Sequence, residues 1–119
     1  MGKPVRQCKL KFNTRTGYVL VSPDEIMYCE ADVNYTTIFF GKDNREVVTM
    51  NLGKIEEILA PYSFYRISRS ILINQTYLAG ADRQKKQCLL IKDNERVTLE
   101  ISPNHIRELE RYLDGLTGD

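Results

Sequence analysis

Two arginines and two serines interrupt the apolar segment Phe64-Tyr65-Arg66-Ile67-Ser68-Arg69-Ser70-Ile71-Leu72-Ile73-Asn74, and the interruption limits what the chain can fold into. In one unbroken strand, side chains alternate between faces. Arg66, Ser68 and Ser70 would then share one face, and Ile67, Arg69 and Ile71 the other. A guanidinium keeps its charge and is costly to bury without a partner. The segment is therefore expected to break: a strand ends near Ser68, Ser70 caps a short helical turn running through Ile73, and Arg69 sits on the corner facing outward. The two arginines can then do one of two things. They can pair with surface carboxylates, as arginines at this spacing commonly do, or they can meet something anionic outside the domain.

Around that segment the hydrophobic period is mostly two. Cys8, Leu10 and Phe12 alternate with Lys9 and Lys11, and Asn13–Gly17 reads as a hairpin turn into a strand at Tyr18–Val21. Ser22-Pro23-Asp24-Glu25 has the form of a single helical turn, with serine capping, proline first and Glu25 reaching back. Strands follow at Ile26–Ala31, Tyr35–Phe40 and Arg45–Met50, the last two flanking the turn Gly41-Lys42-Asp43-Asn44. Leu52, Ile55, Ile58 and Leu59 share one side of a short helix that Pro61 ends. Three more strands, Tyr77–Ala81, Gln87–Ile91 and Arg96–Glu100, form a meander. Ser102 can cap a last helix whose stripe of Ile106, Leu109, Leu113 and Leu116 docks on the sheet rather than on a second copy, because strand-rich domains need their faces covered. The predicted class is mainly β, with antiparallel sheets, one short internal helix and a C-terminal helix.

The chain has 119 residues, enough for one domain with one core and too few for two, so residues 1–119 are expected to form a single unit. Hydrophobic residues make up 42% and charged residues 28%, which excludes a disordered or disulfide-stapled chain. With no apolar run of membrane-spanning length and no signal-peptide pattern, the expected compartment is the cytoplasm and no membrane partner is expected. Cys8, Cys29 and Cys88 are widely spaced and read as buried free thiols, with no metal-ligand spacing.

The net charge of +1 conceals an uneven distribution. Residues 1–21 carry Lys3, Arg6, Lys9, Lys11 and Arg15 and no acid, and residues 61–86 carry Arg66, Arg69, Arg83, Lys85 and Lys86 against Asp82 alone. Residues 22–60 and 87–119 are acidic. If folding brings the two basic segments together, the domain has one face that attracts a polyanion; otherwise the charges are scattered and solvated. Lys9 and Lys85 are the representative phosphate contacts on the first reading.

Little here supports catalysis. The single histidine, His105, lies far in sequence from every cysteine, and the glycines form neither a phosphate-cradling loop nor a dinucleotide fingerprint. No enzyme activity, metal or cofactor is expected. DNA recognition needs cations and polar donors for phosphates plus forked or amide side chains for base edges, and the predicted loops offer both. The alternative is a small β module that recognises a protein or peptide through the exposed edge of the Tyr77–Ile91 meander.

Several separate blocks favour the first of these. Ile26-Met27-Tyr28-Cys29-Glu30-Ala31-Asp32-Val33-Asn34-Tyr35-Thr36-Thr37-Ile38, then Leu52, Ile55, Glu56 and Leu59, then Phe64, Arg66, Arg69, Ser70 and Asn74, resemble in order and spacing the LytTR family of bacterial DNA-binding domains, from about Tyr18 onward. Ser68 stands where the family usually has histidine. Ser102-Pro103-Asn104-His105 stands where it usually has serine followed by two basic residues. The resemblance implies a β domain that inserts loops, not a recognition helix, into the major groove of double-stranded DNA and acts as a transcription regulator. Carried over by position, Asn34 and Tyr35 lie in the first contact loop, Arg69 is the main base reader with Arg66 and Ser68 beside it, and Ser102 to Asn104 begin the third contact region. Asn74 and Arg66 could instead fix the loop by hydrogen bonds, Asn74 as a left-handed cap after Ile73. The resemblance further implies repeated half-sites, self-association on DNA, and either a receiver domain in a longer parent chain or a stand-alone regulator.

Overall fold

The computed structural model describes residues 9–117. Among the described residues ten strands form three antiparallel sheets: β1 (Leu10–Asn13) with β2 (Tyr18–Val21); a central five-stranded sheet; and β10 (Glu95–Glu100), β9 (Gln87–Lys92) and β8 (Leu78–Asp82) in that order. The central sheet is built from β3 (Tyr28–Asp32), β4 (Tyr35–Phe39), β5 (Arg45–Val48), β6 (Phe64–Arg66) and β7 (Ile71–Asn74), in spatial order β5-β4-β3-β7-β6. Helix α1 spans Leu52–Leu59 and helix α2 Pro103–Thr117. Among the described residues no helix is long and apolar enough to cross a membrane.

Alternation in β3 and β7 explains the layering. Cys29 and Leu72 point into one core with Phe12, Val21, Ile38, Val48 and the α1 residues Leu52, Ile55 and Leu59, while Tyr28 and Ile73 point into another with Ile67, Cys88, Leu90, Ile101 and Leu109 of α2. The central sheet is thus covered on both sides, by β1–β2 and α1 on one and by β8–β10 and α2 on the other. A strand buried on both faces reads as a continuous apolar run rather than an alternating one.

That is why Ile71–Asn74 is a strand and not the helical turn the sequence suggests. Leu72 and Ile73 each fill a different core, which four residues of helix starting at Ser70 could not do. Asn74 is correspondingly not a left-handed cap; it is extended at φ −84°, ψ 112°. It is structural all the same. Only 2% exposed, it donates from Nδ2 to the Ile26 carbonyl at 2.9 Å and accepts from the Thr76 N–H at Oδ1 at 3.0 Å. Asn74→Ala would strand both partners near the core, so it is expected to cost about 1–3 kcal/mol of stability, read as a lower denaturant midpoint at unchanged slope.

Most local signals take the form the sequence suggests. The Ser22–Glu25 turn is a 3-10 helix in which Glu25 accepts from the Ser22 N–H at 3.1 Å. Asn51 caps α1 by accepting from the Lys54 N–H at 2.8 Å. Pro61 lies in a 3-10 turn after Leu59, and Ser63, at φ 64°, makes the reversal into β6. Ile106, Leu109 and Leu113 dock α2 on the second core; the Leu116 side chain, Lys3, Arg6 and Cys8 lie outside the described residues. Burial pushes the Cys29 thiol up to about 12 and Cys88 up to about 11, so both stay protonated and inert.

Candidate nucleic-acid interface

The loop between β6 and β7 is tied down from inside. Ile67 is fully buried, donates its N–H to the Ile71 carbonyl at 3.0 Å and accepts from the Ser102 N–H at 3.0 Å. Arg66 supplies the rest. Its Nε donates to the Ser68 carbonyl at 3.0 Å, one terminal nitrogen donates to the Arg69 carbonyl at 2.6 Å, and the other meets the Glu56 carboxylate on α1 at 2.6 Å. The Ser68 hydroxyl accepts from the Ser70 N–H at 3.2 Å. With these carbonyls held, the Arg69 side chain is exposed and makes no ion pair with the described residues. The pairing of arginine with a surface carboxylate therefore holds for Arg66 and not for Arg69.

Two further segments meet this loop. The Ala31 N–H donates to the Ser70 carbonyl at 2.8 Å, extending the β3–β7 pairing and placing the β3–β4 hairpin tip, Val33-Asn34, at the same end of the sheet. Asn34 and Tyr35 are exposed there. On the other side, the Ile101 N–H donates to the Lys86 carbonyl at 2.8 Å, bringing the β8–β9 turn and the start of α2 beside Ile67. Ser68, Ser70, Lys85, Lys86 and Ser102 line one open groove of about 720 Å³ between them, along with Glu30 and Glu100. Ser102 Oγ shares a 2.6 Å hydrogen bond with His105 Nδ1, and Asn104 is exposed one residue earlier.

The basic segments converge only in part. The Thr49 N–H donates to the Asn13 carbonyl at 2.8 Å, so the β1–β2 turn reaches the same end, where Arg15 and Thr16 form a shallow pocket with Tyr35, Val47 and Thr49. Arg15 belongs to the basic N-terminal segment, and nothing local in the sequence places it beside Tyr35. Lys9 goes the other way. It precedes Leu10, which pairs with Val21, and Val21 shares a groove with Phe40, Asn44 and Lys92 at the opposite end of β4. The structure therefore does not bring Lys9 and Lys85 together. Arg83 is also occupied: its Nε lies 2.6 Å from Glu110 of α2, and this hydrogen bond and charge raise its already high pKa. What remains at the loop end is Arg69, Lys85, Lys86 and Arg15, with Glu30 and Glu100 tempering the field. Among the described residues no group of histidine, cysteine, aspartate and glutamate is placed to hold a metal ion.

Fold and site together define a β-sheet domain that presents several polar loops at one end. The sequence profile of the LytTr DNA-binding domain matches residues 16–114. The chain belongs to the LytTR family of DNA-binding domains. Among solved structures it is similar to the LytTr DNA-binding domain of a protein described as a putative methyl-accepting/DNA response regulator from Bacillus cereus, with a TM-score of 0.68 and 23% identity over 91% of this chain and 98% of that one. That likeness supports the mainly β arrangement. No curated protein matches the chain.

Proposed function

We propose that this single domain binds double-stranded DNA sequence-specifically by inserting its end loops into the major groove, and that it acts as the output domain of a cytoplasmic transcription regulator coupled to a receiver domain. The observation that carries this reading is the division of labour in one loop: Arg66 spends its donors on the Ser68 and Arg69 carbonyls and on Glu56, which leaves the Arg69 fork outward on a rigid base. A forked guanidinium matches the O6 and N7 acceptors of guanine. Asn34 and Tyr35 on the hairpin tip, and Ser102 and Asn104 at the start of α2, supply amide and hydroxyl groups on either side. The N-terminal turn of α2 also favours a phosphate. Ser68, half-buried and hydrogen-bonded within the loop, serves as a secondary contact. Lys85, Lys86 and Arg15 meet the backbone; Lys9 has no part in it.

A peptide-binding edge on β8 is disfavoured by geometry. The register of β8 shifts between Leu78 and Gly80, and such a bulge twists an edge away from further pairing.

Selection of bound duplexes from a random pool tests the proposal, with a recovered consensus expected and an unenriched pool contradicting it. On the selected site, log affinity should fall linearly with log salt concentration, and Lys85→Ala should reduce the slope by about one unit while weakening all sequences alike. A flat salt response would count against phosphate contact altogether.

A further inference from the structure

Val33 is the anomaly at this end of the molecule. It is 87% exposed and sits at φ 57°, a region in which a β-branched side chain is a steric outlier. It is the first residue of a two-residue hairpin turn closed by the Asp32–Tyr35 pair, the position where glycine, asparagine or aspartate normally provides the positive φ. An asparagine is present in the turn but stands one place later. A lone exposed apolar residue needs no explanation; one kept on strained backbone, where the fold makes no use of the side chain, calls for a partner outside the fold. Ala31, two residues before Val33, donates to the Ser70 carbonyl, so the tip extends from the end of the sheet that carries the Arg69 loop.

We propose that Val33 reads the 5-methyl group of a thymine. This rests on the DNA reading above. Among base edges in the major groove, the thymine methyl is the apolar feature, and short aliphatic side chains recognise it by contact. The hairpin tip would carry Val33 to that methyl while the adjacent Asn34 amide contacts a neighbouring base edge or phosphate. The strained turn is suited to this, since a two-residue loop projects the side chain with little freedom to swing aside.

The test replaces each thymine of the selected site, one at a time, with deoxyuridine, which pairs identically and lacks only the methyl. For the unaltered protein, one replacement should weaken binding about fourfold, the worth of burying one methyl-sized group. Val33→Gly should bind the thymine and deoxyuridine duplexes equally, with an unfolding midpoint no lower than that of the parent, and Val33→Ala, which keeps one methyl, should show a smaller difference than the unaltered protein does. Insensitivity to every replacement overturns the inference while leaving sequence-specific binding intact. A deoxyuridine effect that persists undiminished in both variants also overturns it, by assigning the methyl contact to another residue. Failure to recover any preferred site removes the DNA reading and this inference together.

Discussion

Ile67→Ala is expected to destabilise the domain by about 2–5 kcal/mol, the range for truncating a fully buried isoleucine and leaving a cavity. Ile67 has no exposed surface and packs with Met27, Tyr28, Ile73, Cys88, Leu90, Ile101 and Leu109. Its backbone also joins three elements, through the hydrogen bonds to Ile71 and from Ser102. A cavity there lies directly beneath Ser68 and Arg69, so loop order should fall with stability. Urea unfolding measures it: the midpoint should drop at constant slope. A loss under about 1 kcal/mol, the range of a packing-neutral swap, would mean that the segment between β6 and β7 is not anchored in the second core.

The other large effect concerns site architecture. If Arg69 is the principal reader, as proposed, with a short hairpin tip beside it, one domain can specify only a few base pairs, so its affinity for a single site should be weaker than the about 10⁻⁸–10⁻¹¹ M of typical specific complexes. Two copies held together make the second binding event intramolecular, which can raise avidity by about 10²–10⁴-fold. The apolar stripe of α2 does not supply that link, because Ile106, Leu109 and Leu113 are packed on the domain's own core. On the proposed reading the link would come from an attached dimerising domain or from contact between copies on DNA. Titration of duplexes carrying two half-sites, spaced in half-turn steps, should show cooperative binding that peaks near whole turns of about 10–10.5 base pairs. Binding as tight to one half-site as to two would show that a single copy suffices.

How far these features could be read in advance depends on whether they are local. The Ser22–Glu25 turn, the Gly41–Asn44 hairpin, α1 and the stripe of α2 are written in short-range chemistry, and the folded chain carries them as the sequence suggests. The strand Ile71–Asn74 was not legible. Its identity depends on two cores supplied by distant residues, such as Phe12 about 60 positions before it and Leu109 about 36 positions after it, and a short run of three apolar residues ending in an asparagine has no period of its own. Arg66 was readable only as an alternative, since its partner Glu56 lies on a separate helix. The convergence of charge was half legible: Lys85 and Lys86 arrive at the loop end through the β8–β9 turn, Arg15 arrives through a hairpin, and Lys9 is carried to the opposite end by strand direction alone. The positive φ at Val33 was hidden because asparagine, its neighbour, is the residue that ordinarily adopts it.

The most direct test of the account is the affinity of the parent domain and of Arg69→Ala for the preferred duplex and for each of its single-base-pair variants, measured at one salt concentration beside an unfolding curve of each protein. The account predicts a loss of about 1–3 kcal/mol on the preferred site, with discrimination abolished at one guanine, retained elsewhere, and stability unchanged. Equal weakening on every duplex with all preferences intact would make Arg69 a phosphate contact, and a lowered unfolding midpoint would make it part of the scaffold; either result contradicts the assignment of Arg69 as the base reader.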